Sequence, residues 1–367
     1  MSSQATVDAQ ATMNVTLKDN ESTYQIDSYY SNDESYNTIM TIVLILNKYY
    51  LWIILAIGLP GNISTIFTIS RMRSLGSFSL YVVLLAIADS AALVLKVTIY
   101  QLLNDQVYLT TEGCRILLFL ATFFASYANW ILVLMAVERL VAVKFPLKIQ
   151  RYLGYKKSIM WNVIVGVSLA VMYTPILLMY DFEITNIGCY IHKEPIYLIV
   201  YLKWVNICLL AFIPFILIAL FNVLILGIIR QSFKERNLLT NTSSSTDMST
   251  LRQTMLMLFT STLVFVILMF PACALTVAES YWQEEIHTRG FVLKYLFSQI
   301  SYILVDSTHA LNFYLYFLSA RKFRKQFNEL WTCKQTSVQR ANLALKFQYG
   351  FQRLSLRTST SNRQTAI

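Results

Sequence analysis

Charge is scarce in this chain. Asp, Glu, Lys and Arg make up 14% of its 367 residues, against about 25% in an average soluble domain. That deficit is too large for a soluble enzyme of this length. Histidine is scarcer still, at His192, His287 and His309. With no H-E-x-x-H run and no nucleophile elbow, the sequence argues against a metalloprotease or hydrolase. It shows no internal repeat, the usual mark of a transporter of comparable design. Met1 to Asn47 has no basic segment leading into an apolar one, so it does not read as a cleaved signal peptide.

Hydrophobic residues, at 56%, are plentiful and blocked. Runs near the length that crosses a hydrocarbon core cover 49–70, 78–103, 116–143, 158–180, 196–229, 255–280 and 293–319. A greasy soluble core does not account for them, because buried core helices rarely exceed about 14 unbroken apolar residues. The expectation is an all-α membrane protein, a seven-transmembrane helix bundle over 49–319. A flexible arm over 1–48 precedes it, a short amphipathic eighth helix over 320–331 follows, and 332–367 is a disordered tail.

The formal net charge of +10 is unevenly placed and is no nucleic-acid footprint. Lys and Arg gather after the first, third, fifth and seventh runs, as in Arg71, Lys144, Arg230 and Arg321. Asp and Glu gather in the arm and the alternate connectors, as in Asp19, Asp105, Glu183 and Glu284. An excess of Lys and Arg marks the cytoplasmic side. The N-terminus is therefore expected outside and the C-terminus inside, in a multi-pass protein of the plasma membrane. Asn14 and Asn20 begin N-x-[ST] sequons in the outer arm and are candidate glycosylation sites. The same pattern at Asn62 lies inside the first run, out of reach. Cys114 and Cys189 both fall on the oxidising side, which permits a disulfide. Cys208 and Cys273 read as buried thiols. Cys333, beyond the eighth helix, is either a palmitoylation site or an unmodified thiol.

Polar residues inside the runs carry more information. Glu138 and Arg139 stand side by side near the inner end of the third run. Position alone allows a snorkelling arginine or a functional pair. Asp89 lies mid-way along the second run, Asn62 in the first and Asn312 in the seventh, and a mid-bilayer carboxylate points to function. Lys96 lies about 10 Å beyond Asp89, and Asp306 about 9 Å beyond Asn312, both toward the outside. Shared depth predicts an interhelical ion pair, with separate water pockets as the alternative. Pro271, near Phe265 and Phe270, marks a hinge in the sixth run. The polar stretch 231–253 reads as a flexible connector. Phe323, Phe327 and Leu330 recur at helical spacing among basic residues, the pattern of a helix lying on membrane lipid. Ser355, Thr358, Ser359, Thr360 and Ser361, between arginines, are candidate kinase targets. Thr365-Ala366-Ile367 would suit a PDZ groove, against a chance match as the alternative.

Taken in order, these residues resemble the rhodopsin-like G-protein-coupled receptors over 49–331. Gly61-Asn62 match the family's GN, Leu85-Ala86-Ile87-Ala88-Asp89 its LAxAD, and Glu138-Arg139-Leu140 its [DE]-R-Y. Trp161, Pro214, Phe265 and Pro271 match residues of spans four to six, and Asn312-Phe313-Tyr314-Leu315-Tyr316 the N-P-x-x-Y of span seven. The resemblance pairs Cys114 with Cys189. It implies that Glu138 holds Arg139 at rest and releases it toward a heterotrimeric G protein as the inner end of span six opens. Asn312 and Tyr316 belong to the same switch. Receptor kinases and arrestin are implied as further partners, with no cofactor and no enzyme activity. Asp89 and Asn62 stand where the family binds sodium, but Ala128 replaces a polar sodium ligand. Met269 replaces the span-six tryptophan, Asn222 the span-five tyrosine and Phe313 the span-seven proline.

Ligand class follows from the same comparison. Asp306, in place of a retinal-bearing lysine, argues against light sensing. Ala121, in place of an aspartate, argues against a monoamine. The acidic outer surface steers cations inward. FNVLI at 221–225 loosely resembles invertebrate FMRFamide-type neuropeptide receptors. The expected ligand is a short basic amidated peptide. Lys96, Ala121, Met269, Glu279 and Asp306 are the candidate pocket residues, with Glu279, Glu284, Glu285 and Asp306 facing the peptide's arginine. Rival readings are a receptor for another small ligand, a constitutively active or decoy receptor, and a transporter.

Overall fold

A computed structural model describes residues 34–72, 77–105, 107–145, 154–183, 188–191, 204–239, 245–279, 281–282 and 288–331. Seven long helices and one short one account for most of them. They are α1 (Glu34–Arg71), α2 (Ser77–Asn104), α3 (Thr111–Lys144), α4 (Tyr155–Met179), α5 (Ile213–Leu239), α6 (Ser245–Glu279), α7 (Arg289–Ser319) and α8 (Arg321–Trp331). Six of the seven long ones are apolar enough by composition to cross a membrane. The exception, α7, buries Ser298, Gln299, Ser301, Asp306, Thr308, His309 and Asn312. Its polar residues face the bundle, which is why composition alone undervalues it.

Large apolar side chains such as Phe67, Val171, Val223, Phe270 and Leu318 are exposed, while Asn62, Asp89, Glu138 and Asp306 are buried. Water would not tolerate so much apolar surface, but hydrocarbon does. The helix α3 is central and packs on α2, α4, α5 and α6, while α1 lies along α2 and α7. One core cluster joins Tyr81, Leu85, Met135, Ile218, Phe265 and Tyr316.

Three elements differ from the sequence reading. The first helix starts at Glu34, not at residue 49, so the end of the expected arm is helical. Tyr36, Met40 and Val43 sit at helical spacing and are buried with Val292 and Tyr295 of α7. The polar break at Asn47-Lys48 hid this continuation. The second difference is the 231–253 connector, which is helical outside 240–244. Lys234, Glu235, Arg236 and Leu238 are good helix formers and carry α5 beyond its apolar part. The third is a small addition to the helical fold. Strands β1 (Tyr180–Glu183) and β2 (Gly188–Ile191) pair antiparallel, with Phe182 opposite Cys189. A disulfide joins Cys189 to Cys114 and so ties the hairpin to the start of α3. Arg115 adds a second tie, donating to the Tyr180 carbonyl over 2.5 Å. The Thr110 hydroxyl caps the helix by accepting from Gly113 N–H.

Just before α5, Cys208–Phe212 forms a π-helical turn. Pro214 has no N–H to offer the Leu210 carbonyl one turn back. Asn129 of α3 supplies the missing donor, its Nδ2 lying 2.8 Å from Leu210 O. Trp130 Nε1 donates to the neighbouring Leu209 O over 2.9 Å. These two side chains clasp α3 to the irregular turn. Replacing both, Asn129→Leu with Trp130→Phe, strands two carbonyls, each at a cost of about 1–3 kcal/mol where water is excluded. A clear fall in the melting temperature of the purified protein is expected, larger than for either single change.

Candidate functional site

Buried polar groups line the interior in three layers. Nearest the disulfide end, Lys96 of α2 meets Asp306 of α7. The ammonium lies 2.6 Å from both carboxylate oxygens. The ion pair expected from matched depth is formed, and Tyr50 of α1 lies beside the carboxylate. The Lys96 side chain is 42% exposed and that of Asp306 only 5%. The lysine is therefore the more accessible partner of the pair, and the carboxylate is hidden.

The middle layer is a hydrogen-bonded network. Asp89 Oδ2 accepts from Asn312 Nδ2 over 2.8 Å, and Asp89 Oδ1 lies 2.7 Å from His309 Nδ1. Asn62 Nδ2 donates to the His309 carbonyl over 3.1 Å. Ser261 of α6 donates to Asn312 Oδ1 over 2.9 Å. Four helices, α1, α2, α6 and α7, meet here through hydrogen bonds. Such bonds between membrane helices average roughly 0.6 kcal/mol each, so no single one dominates.

At the opposite end, Glu138 and Arg139 of α3 are 3% and 8% exposed. The Glu138 carboxylate accepts from Ser77 Oγ over 2.5 Å, which joins α2 to α3. Thr262 of α6 donates to Asn222 Oδ1 of α5 over 3.0 Å. Tyr316 is fully buried in the main core cluster. Phe313, in place of the family proline, is a packing hub. Its ring lies 5.8 Å from Phe323 and 5.3 Å from Phe327, joining α7 to α8.

Several sequence-derived residues are not brought together by this geometry. Met269 is fully buried, and Ala121 is half-buried on α3. Glu279 ends α6, and its side chain, like Asn14, Asn20, Glu284, Glu285, Cys333 and the tail, lies outside the described residues. Asp89 is where the resemblance placed sodium. Both carboxylate oxygens face nitrogen groups, and Ala128 adds no oxygen. Among the described residues, no group of three His, Cys, Asp or Glu could hold a metal ion. Sequence reasoning missed Ser77, Ser261, Thr262 and His309. Only His309 carried a usable signal, since it stands three residues before Asn312 and so shares its helix face.

The description "7 transmembrane receptor (rhodopsin family)" matches residues 61–336. The chain belongs to that family. As a member it is a receptor, not an enzyme. A probable G-protein coupled receptor of Caenorhabditis elegans is 22% identical over 83% of this chain and 74% of its own length. The thyrotropin-releasing hormone receptor of Bos taurus is 24% identical over 88% of this chain and 85% of its own. The human thyrotropin-releasing hormone receptor is also 24% identical, over 85% of this chain. Within this receptor the three layers span most of the bundle's depth, from Lys96 through Asp89 to Arg139.

Proposed function

We propose that this receptor binds a short amidated peptide at the end of the bundle that carries Cys114. It then activates a heterotrimeric G protein at the end that carries Arg139. The N-terminus lies outside the plasma membrane, a reading that the distribution of Lys and Arg supports. The observation that carries the reading is the Lys96–Asp306 pair. Two hydrogen-bonding contacts of the ammonium go to Asp306, and a lysine offers three donors. The remaining N–H suits a carbonyl, such as that of an amidated peptide terminus. An arginine of the ligand would have to share Asp306 with Lys96. Similarity to receptors named for thyrotropin-releasing hormone supports a hormone-like ligand.

At the other face, α8 rests Phe323 and Phe327 against the bundle. Arg324 Nη1 donates to the Phe317 and Leu318 carbonyls over 2.9 and 2.6 Å, capping the end of α7. Arg321, Lys322 and Lys325 on the same short helix suit an anionic inner leaflet. Receptor kinases, arrestin and a PDZ protein are proposed partners of 332–367.

The test is nucleotide exchange in a heterologous cell, challenged with amidated peptides, their free acids, monoamines and no ligand. An amidated peptide is expected to activate. Lys96→Met should raise its half-maximal concentration about tenfold, or roughly 1.4 kcal/mol. The reversed pair, Lys96→Asp with Asp306→Lys, should recover part of that loss. Activation by monoamines alone would refute the peptide reading. Full signal without ligand would favour the constitutive alternative that Met269 and Phe313 raise.

A further inference from the structure

We infer that His309 is a built-in counter-group for Asp89, filling the place an ion would take, so that the resting state of this receptor is indifferent to sodium. Asp89 is 1% exposed. A carboxylate so deep in a bundle solvated by hydrocarbon needs donors or a cation. Two side chains of α7 meet that need from within the chain. His309 Nδ1 lies 2.7 Å from one oxygen and Asn312 Nδ2 lies 2.8 Å from the other. An N–H of Asn312 points at Oδ2.

A hard cation gathers oxygens, roughly six for a calcium-sized ion. Here each oxygen of the carboxylate already has a nitrogen of α7 against it, and Ala128 on α3 has no side-chain oxygen to offer. Asn62 Oδ1 is a buried oxygen without a hydrogen bond among the described residues. The nearby Ser261 hydroxyl and Asn312 Oδ1 are already bonded to each other, so the oxygens left over are too few to replace a hydration shell. The imidazole is also held through its backbone, because Asn62 Nδ2 donates to the His309 carbonyl. His309 is therefore a positioning residue. It sets the spacing of α2 and α7 at this depth, and Asn312 carries the same contact on to Ser261 of α6.

The test needs neither a ligand nor a G protein, so it fails or succeeds apart from the peptide reading. The full chain is purified in detergent, and its melting temperature is measured in sodium chloride and in choline chloride at equal ionic strength. Wild type is expected to melt at the same temperature in both. His309→Ser should melt lower, and His309→Gln, which keeps an N–H, should recover part of the loss. His309→Ser with Ala128→Ser exposes Asp89 and adds an oxygen. That variant should gain a sodium-dependent rise of about 2–4 °C, the shift expected of a weak ligand present above its Kd. A wild-type melting temperature that rises with sodium, and no longer does so in Asp89→Asn, would overturn the inference. So would a His309→Ser chain as stable as wild type.

Discussion

Arg139→Ala is expected to give a receptor that reaches the cell surface and no longer activates its G protein. Arg139 sits almost buried at the end of α3, beside Glu138, whose carboxylate is already engaged by Ser77 of α2. Removing the guanidinium therefore leaves Glu138 with a donor, and the α2–α3 contact survives. What is lost is a permanent charge with a planar fork that can exchange partners when α6 moves. The agonist response is expected to fall roughly thirtyfold or more, equivalent to about 2 kcal/mol or more. Agonist-stimulated nucleotide exchange, normalised to surface receptor measured by antibody, checks this. An alanine variant that signals as wild type would remove Arg139 from the switch.

The second large effect is on folding. Gly58 of α1 lies where three helices converge. A Cβ placed there would meet Leu93 Cδ1 of α2 at 2.7 Å, and Ala310 Cβ and Cα of α7 at 2.8 and 3.0 Å. The last of these is backbone and cannot swing aside. Gly61, three residues on and on the same face, approaches Phe313 Cβ at 3.1 Å by the same measure. In lipid no hydrophobic force pulls helices together, so close packing at small residues contributes much of the association. Gly58→Ala must push α1 off α7, at a cost of about 1–3 kcal/mol. Gly58→Leu is expected to abolish surface expression. Gly227 of α5 is the control, because nothing lies within 4 Å of a Cβ built there. Gly227→Ala should be neutral or slightly stabilising, as alanine is the better helix former by about 1 kcal/mol. Melting temperatures of the two alanine variants decide the matter, and equal values would show that α1 adapts freely.

Much of this molecule was legible along the chain because bilayer thickness sets a length scale that sequence can display. All seven crossings and the short eighth helix were visible as apolar runs and a helical stripe. Depth was legible too. Counting 1.5 Å per residue from Asp89 and from Asn312 put Lys96 and Asp306 at one level, and they are paired. Where apolarity stopped, legibility stopped with it. Tyr36, Met40 and Val43 extend α1 because Val292 and Tyr295 are there to cover them, and no run of residues in α1 announces that partner.

Rotation about each helix axis was not legible, and rotation decides the site. Sequence by itself determined the fold class, the depth of each buried charge and the pair of cysteines available to join. Composition, helical rise and the cost of a charge in hydrocarbon depend only on the chain and its solvent. The tertiary structure alone decided that Asp89 faces His309 and Asn312, that Ser77 holds Glu138, and that Asn129 serves the carbonyl Pro214 leaves bare. Each of these contacts joins residues on different helices. Which of them meet depends on how closely and at what rotation the helices pack, and that is settled by residues such as Gly58 acting across the bundle.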